Sequence, residues 1–271
     1  MEFLILGHLL GDFYVQTDHI ADKKKKSVWY LLLHCVLYMT GMYFVLAVAT
    51  GNFVQALKIT IIIGLSHMCV DIVKVKADSR MPQFEYIVFL LDQAIHIAIL
   101  MLIFSFFRSC FQIENYFFVQ VLDGISLSKM TAMLIAGLLC WKPAAVLISL
   151  VFKALPKTVE DENGEEPECD KEEEASKKRK KVKNAEKISA KCGNQEEVLR
   201  IGSWIGILER EIILLLGLLG QYGAIGFVLT AKSLARYKQL EEQAFAEKYL
   251  VGTLLSALIA ILCVTMCSLI R

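Results

Sequence analysis

The chain carries almost no net charge: 29 basic residues stand against 28 acidic ones, a formal +1 over 271 residues. It lacks the basic excess that tracks a phosphate backbone, so nucleic acid is not an expected partner. Motif-spaced cysteine is missing too. The 8 cysteines, at 35, 69, 110, 140, 169, 192, 263 and 267, form no CxxC pair, which supports neither a zinc ribbon nor a redox dithiol. Their expected role is apolar packing, Cys263 and Cys267 on one helix face included. The opening stretch, residues 1–16, has no basic n-region and no small-residue cleavage site. It is therefore expected to remain as a short first helix rather than act as a cleaved signal. No period-two alternation competes with the apolar runs, so β structure is not expected.

Hydrophobicity is present in blocks. The composition is 56% hydrophobic, with a mean hydropathy of +0.51, above the roughly 45–50% apolar content of soluble domains. The excess gathers in runs of about 18–24 residues, long enough to cross a hydrocarbon core of roughly 30 Å. The reading is an all-α polytopic membrane bundle of about six to eight transmembrane or re-entrant helices. Spans are expected near 2–17, 28–50, 53–75, 84–107 and 130–152, with more membrane segments within 201–230 and 249–270. Gly51-Asn52 leaves room only for a tight antiparallel hairpin between the second and third spans. Four glycines (Gly217, Gly220, Gly223, Gly226) surround Gln221 and Tyr222, which suggests two shorter helices turning near Gly220.

Residues 153–200 hold 12 of the 29 basic and 13 of the 28 acidic residues. Such a stretch cannot bury a core and is expected to be a disordered or loosely helical linker. The basic run Lys177–Lys181 offers a second reading, contact with anionic lipid. The organisation expected is a four-helix core (1–107), an outer loop and fifth span (108–156), the charged linker (157–198) and C-terminal membrane segments (199–271). Lys23–Lys26, then Lys74, Lys76 and Arg80, then Lys153 and Lys157 recur after every second crossing. The positive-inside bias then puts the N-terminus outside and the linker in the cytoplasm, where it is a candidate surface for a cytoplasmic partner.

With the charge gathered there, ionisable groups inside the apolar runs carry information. The first run reads His8-x-x-x-Asp12, the third His67-x-x-x-Asp71, and the fourth the reverse, Asp92-x-x-x-His96. The second contributes His34. Residues i and i+4 share one helix face, so each run offers an imidazole and a carboxylate to a common neighbour. Counted from the cytoplasmic ends, most of these groups fall about 9–18 Å deep. A charged Asp at a helix centre costs roughly 2.5–3.5 kcal/mol, so Asp12, Asp71 and Asp92 need compensation. Imidazole and carboxylate are ligands for Zn²⁺, Mn²⁺ or Fe²⁺. The expectation is a divalent-metal site, one or two ions with Zn or Mn favoured, drawn from His8, Asp12, His34, His67, Asp71, Asp92 and His96. The three aspartates are also the candidate catalytic groups. The structural alternative, His–Asp hydrogen bonds that only join helices, suits one such pair better than three at a common depth. His19, beside Asp18 at a helix end, is read as interfacial.

Lys232 and Arg236, also an i, i+4 pair, are candidate anion-binding residues facing the mouth of the metal site. Glu209-Arg210-Glu211 interrupts an apolar run; the simpler reading for both groups is interfacial snorkelling with a local Glu–Arg pair. Trp29, Trp141 and Trp204 fall near run ends, as membrane-interface anchors do.

These motifs carry a resemblance. His8-Leu-Leu-Gly-Asp12-Phe-x-x-Gln16-Thr-Asp18, Leu-Leu-Leu-His34, Ser66-His67-x-x-x-Asp71 and Phe89-Leu-Leu-Asp92-Gln93-x-x-His96 occur in order over about the first 105 residues. Together they resemble a bacterial membrane family catalogued as a domain of unknown function, number 3307. Ile207-Leu-Glu209-Arg210 and Leu229-Thr-Ala-Lys232-Ser-x-Ala-Arg236 are similar to the C-terminal region of some members. The resemblance implies the bacterial inner membrane and supplies no activity. His19 departs from the aromatic residue expected there. In style alone the pattern is similar to membrane-bound metal-dependent hydrolases.

Three functions are weighed. The first is a metal-dependent hydrolase of a lipid-linked or phosphorylated substrate, with membrane lipid as its partner. The second is a divalent-cation or proton transporter, which would need polar groups through the full depth; the outer halves of the first four runs offer little beyond Thr and Tyr. The third is a non-enzymatic scaffold or sensor working through the linker.

Overall fold

A computed structural model of the protein describes residues 1–24, 27–108, 127–155 and 201–269. The expected linker at 157–198 and most of the expected outer loop lie outside the described residues. The elements described are all helical. In chain order they are α1 (Glu2–Leu9), prolonged by a π-helical turn (Leu10–Tyr14), then α2 (Asp18–Lys24), α3 (Val28–Thr50), α4 (Phe53–Arg80) and α5 (Glu85–Phe106). There follow α6 (Leu127–Ala154), α7 (201–218), α8 (Tyr222–Ala235) and α9 (Gln243–Leu269).

Five helices, α3, α4, α5, α6 and α9, are long and apolar enough to cross a membrane, and α8 is a shorter apolar helix. The least of the five, α5 with 22 residues, extends about 33 Å. Their outward faces are apolar: Phe44, Phe53, Leu65, Met101, Phe106, Leu254 and Met266 are all exposed. The imidazole and carboxylate side chains His34, His67, Asp71, Asp92 and His96 of the same helices turn inward, the arrangement a lipid surround selects.

The first helix differs from the expected 2–17 span. Its 8 α-helical residues and 5 π-helical ones end at Tyr14, and α2 starts separately at Asp18. Such a length, about 20 Å, does not cross a bilayer core. Between α3 and α4 the expected tight hairpin forms, and the Asn52 side chain caps α4 by accepting from the Gln55 N–H at 3.1 Å. The expected break in 201–230 also forms. Gly220 adopts φ 71° and the Gln221 N–H bonds back to the Leu216 carbonyl at 2.8 Å, so α7 stops and α8 restarts at Tyr222. Only glycine takes that left-handed conformation without strain.

Two apolar cores result. One joins α1, α3, α4 and α5 through Leu4, Met42, Leu46, Ile59, Ile63 and Leu100. The other joins α6 to α9 through Cys140, Ile213, Leu214, Ile225, Ala257 and Ala260. Helix α6 bridges them, packing on α1, α5 and α9. Pro143 lies inside α6, where it cannot return the usual bond to the preceding turn. Outside donors converge on that turn. Tyr14 Oη donates to the Leu138 carbonyl (2.7 Å), and Arg210 donates to Cys140 (2.5 Å) and Trp141 (3.4 Å). Glu209 and Arg210 are buried, so interfacial snorkelling does not describe them.

Close approach of α1 to α3 sets up the site. A Cβ on Gly11 would lie 2.8 Å from Tyr38 Cδ2 and 3.1 Å from the Tyr38 carbonyl oxygen. The absent side chain lets the two backbones meet, as small residues do between membrane helices.

Candidate metal centre

The i, i+4 pairs sit on faces that point into the first bundle. His8, Asp12, His34, His67, Asp71, Asp92 and His96 are all buried, none more than 7% exposed. The chain directions put them in one layer. Apolar residues precede the site on α1 (Leu4) and α4 (Ala56, Ile59, Ile63) and follow it on α3 (Met42, Leu46) and α5 (Leu100, Ile103). With α1 and α4 running against α3 and α5, these residues form one apolar half of the bundle, and the ionisable groups form the other. Asp12 falls within the π-helical turn, a local irregularity that often accompanies functional positions.

At the centre is His34 Nε2. It lies 3.2 Å from His67 Nε2, 3.3 Å from Asp12 Oδ1 and 3.2 Å from Asp71 Oδ2. Asp71 Oδ2 is in turn 3.8 Å from His67 Nε2. A nitrogen carrying at most one proton cannot donate fully to both carboxylates at once. A tetrahedral cation with bonds of about 2.0–2.1 Å would space its ligands roughly 3.3 Å apart, close to what these atoms show. Two groups have candidate ligand atoms within 4.8 Å of one another: Asp12, His34 and His67, and His67, Asp71 and His96. His67 belongs to both.

His96 is presented as metal-binding imidazoles commonly are. Its Nδ1 donates to the Asp92 carbonyl at 2.9 Å, while Nε2 is buried without a hydrogen-bond partner. Asp71 Oδ1 and Asp92 Oδ1 are likewise buried without a hydrogen-bond partner. Leaving such atoms unsatisfied costs roughly 1–3 kcal/mol each, so their concentration in one layer calls for a partner.

His8 is engaged differently. Its Nε2 is 3.3 Å from Gln93 Oε1 and its Nδ1 is 3.2 Å from the Tyr38 hydroxyl. The Gln93 amide nitrogen donates to Asp12 Oδ2 and to Asp92 Oδ2, both at 3.1 Å. The chain of donors is consistent throughout: Tyr38 O–H to His8 Nδ1, His8 Nε2–H to Gln93, and Gln93 to two carboxylates. With both nitrogens hydrogen-bonded, His8 orients carboxylates through Gln93. Tyr38 also lies parallel on the His67 ring, centroids 3.7 Å apart.

Two lysines complete the layer. Lys74 Nζ is 2.6 Å from Asp92 Oδ2; Lys24 Nζ is 3.4 Å from Asp71 Oδ2 and 3.2 Å from Gln16 Oε1. With neutral imidazoles, three carboxylates against two ammonium groups leave one negative charge uncompensated. From the sequence these lysines read as topology markers only, and Gln93 and Tyr38 had no role. A signal was available for Tyr38, four residues after His34, by the same spacing that singled out the His–Asp pairs.

Lys232 and Arg236 lie elsewhere. They line a separate cavity among α6–α9, and Lys232 Nζ bonds Glu209 Oε2 and, at 3.1 Å, Thr253 Oγ1. Among the described residues, no hydrogen bond or ion pair links them to the His/Asp layer.

The fold and site thus define a multi-pass membrane protein with buried His/Asp clusters that could hold a metal. Residues 1–122 match the model of a family described as "Protein of unknown function (DUF3307)". Neither a curated protein nor a solved structure matches the chain.

Proposed function

We propose that the protein is a metal-dependent membrane hydrolase acting on a lipid-linked or phosphorylated substrate. The observation that carries this reading is the crowding of His67, Asp12 and Asp71 around His34 Nε2, which suits one cation and not one proton. The nitrogen and oxygen donor set favours Zn²⁺ or Mn²⁺, and the shared His67 leaves room for one ion or two. Such an ion supplies Lewis acidity and a bound water acidified to near neutrality. Within this reading Asp12, His34, His67, Asp71 and His96 hold metal. Asp92, held by Lys74 and Gln93, is the candidate general base. Lys24 and Lys74, at the end of the layer away from the apolar half, are the nearest cations for an anionic substrate. The location proposed is a bacterial inner membrane, with the end of the bundle that carries Lys23, Lys24, Lys74 and Lys76 cytoplasmic and residues 157–198 recruiting a cytoplasmic partner.

Transport is the less favoured reading for a physical reason. Leu4, Met42, Leu46, Ile59, Ile63 and Leu100 close the bundle on one side of the layer, and an ion pathway needs polar groups there. The test is elemental analysis of detergent-purified protein beside Asp71→Ala and Asp92→Ala, followed by hydrolysis assays on phosphomonoester and lipid-diphosphate substrates. The expected result is bound transition metal, reduced in Asp71→Ala, with hydrolysis lost in both variants. A wild-type protein without metal, or full occupancy in Asp71→Ala, would remove the premise.

A further inference from the structure

The second core contains thiols from two different helices. Cys140 on α6 and Cys263 on α9 are both free, both buried and members of the same apolar core. Their side chains face each other in hydrogen-bond contact across the α6–α9 interface. Cys267, one turn further along α9, is engaged elsewhere: its Sγ donates to the Ala132 carbonyl at 3.5 Å. The sequence pairs Cys263 with Cys267 on one helix face; the structure gives Cys263 a partner on another helix.

The interface is built for close approach. Ala136 lies one turn before Cys140 and Ala260 one turn before Cys263, both buried with the thiols. Short side chains let neighbouring backbones come together, and a disulfide needs Cα atoms within roughly 7 Å of each other. Glu211, the carboxylate next to Arg210, stands near both thiols. Its Oε1 is buried without a hydrogen-bond partner, so it is an open acceptor for a thiol proton.

Access is from the lipid side. A mostly apolar cavity of about 610 Å³ is lined by Val264 and Cys267, next to Cys263 on the same helix. Met133, Tyr222 and Ile261 line it too and are exposed on the outer surface of the bundle. Such an opening admits a lipid-soluble reagent more readily than a hydrated one. We propose that Cys140 and Cys263 are a redox-active dithiol that a lipid-soluble quinone oxidises to an interhelical disulfide, stapling α6 to α9. Two S–H bonds break and one S–S bond forms. Two electrons and two protons pass to the quinone, which leaves as the hydroquinone. The staple ties the chain before the charged linker to the chain after it. None of these residues belongs to the His/Asp layer, so the proposal does not depend on the metal reading.

The test uses the full chain in detergent, with Cys169 and Cys192 replaced by serine so that the linker carries no thiol. The reduced protein is treated with tetramethyl-1,4-benzoquinone, and its intact mass and tryptic peptides are compared before and after. The protein is expected to lose the mass of two hydrogen atoms. The peptide of Cys140 should be joined to that of Cys263 through a bond that reductant cleaves. Cys140→Ser and Cys263→Ser, changes of little volume, should each abolish the link, and Cys267→Ser should retain it. An unchanged mass, with both thiols still open to alkylation after denaturation, overturns the proposal. A link that survives in Cys140→Ser, or vanishes in Cys267→Ser, overturns it as well.

Discussion

Replacing His67 by alanine separates a cation site from a hydrogen-bonded helix contact. The residue belongs to both candidate ligand groups, and its Nε2 lies 3.2 Å from His34 Nε2. Losing a direct ligand should weaken metal binding by more than the roughly 10–100-fold typical of groups that only orient ligands. Taking about 100-fold, a metal concentration 100 times the wild-type Kd stabilises the wild-type protein by about 2.7 kcal/mol and the variant by only about 0.4 kcal/mol. The variant also loses the parallel contact with Tyr38 and leaves a void, so it starts less stable in any buffer. The informative quantity is therefore the difference between thermal unfolding with zinc or manganese and with chelator, measured for each protein against itself. Wild-type protein should show a large metal-dependent rise in midpoint and His67→Ala almost none. If wild-type and variant midpoints respond equally to metal, or neither responds, the convergence on His34 is a hydrogen-bond cluster and the metal reading is wrong.

Other outcomes follow from the same geometry. Gln93→Leu strips a partner from His8, Asp12 and Asp92 together; metal affinity should fall about 10–100-fold by metal titration while the helical circular-dichroism signal is kept. Gly11→Ala drives a methyl group into Tyr38, whose backbone cannot give way, and is expected to destabilise the protein by about 1–3 kcal/mol, read as a lower thermal midpoint. Lys74→Met leaves Asp92 without its cation: in chelator it should cost roughly 3 kcal/mol, and added divalent metal should recover most of the loss. The same deficit with and without metal would mark Lys74–Asp92 as a structural ion pair alone.

The sequence by itself determined the helical class, the membrane setting, the break near Gly220 and the candidate metal-binding residues. Each rests on local information. Run length against bilayer thickness, glycine's left-handed conformation, and i, i+4 spacing all act within one helix and survive without knowledge of its neighbours. Tertiary structure decided how those residues divide. It assigned His8 to the Gln93 network and placed Lys24 beside Asp71, Lys74 beside Asp92 and Gln93 beside Asp12. It also took Lys232 away from the mouth of the site and paired it with Glu209. These contacts join different helices, or residues far apart in the chain, and depend on which helix faces meet and at what height. A lysine at the end of an apolar run marks topology whether it reaches outward to headgroups or inward to a carboxylate. Only the rotation and approach of the helices, permitted at Gly11 and set by the interlocking of apolar side chains, chooses between the two.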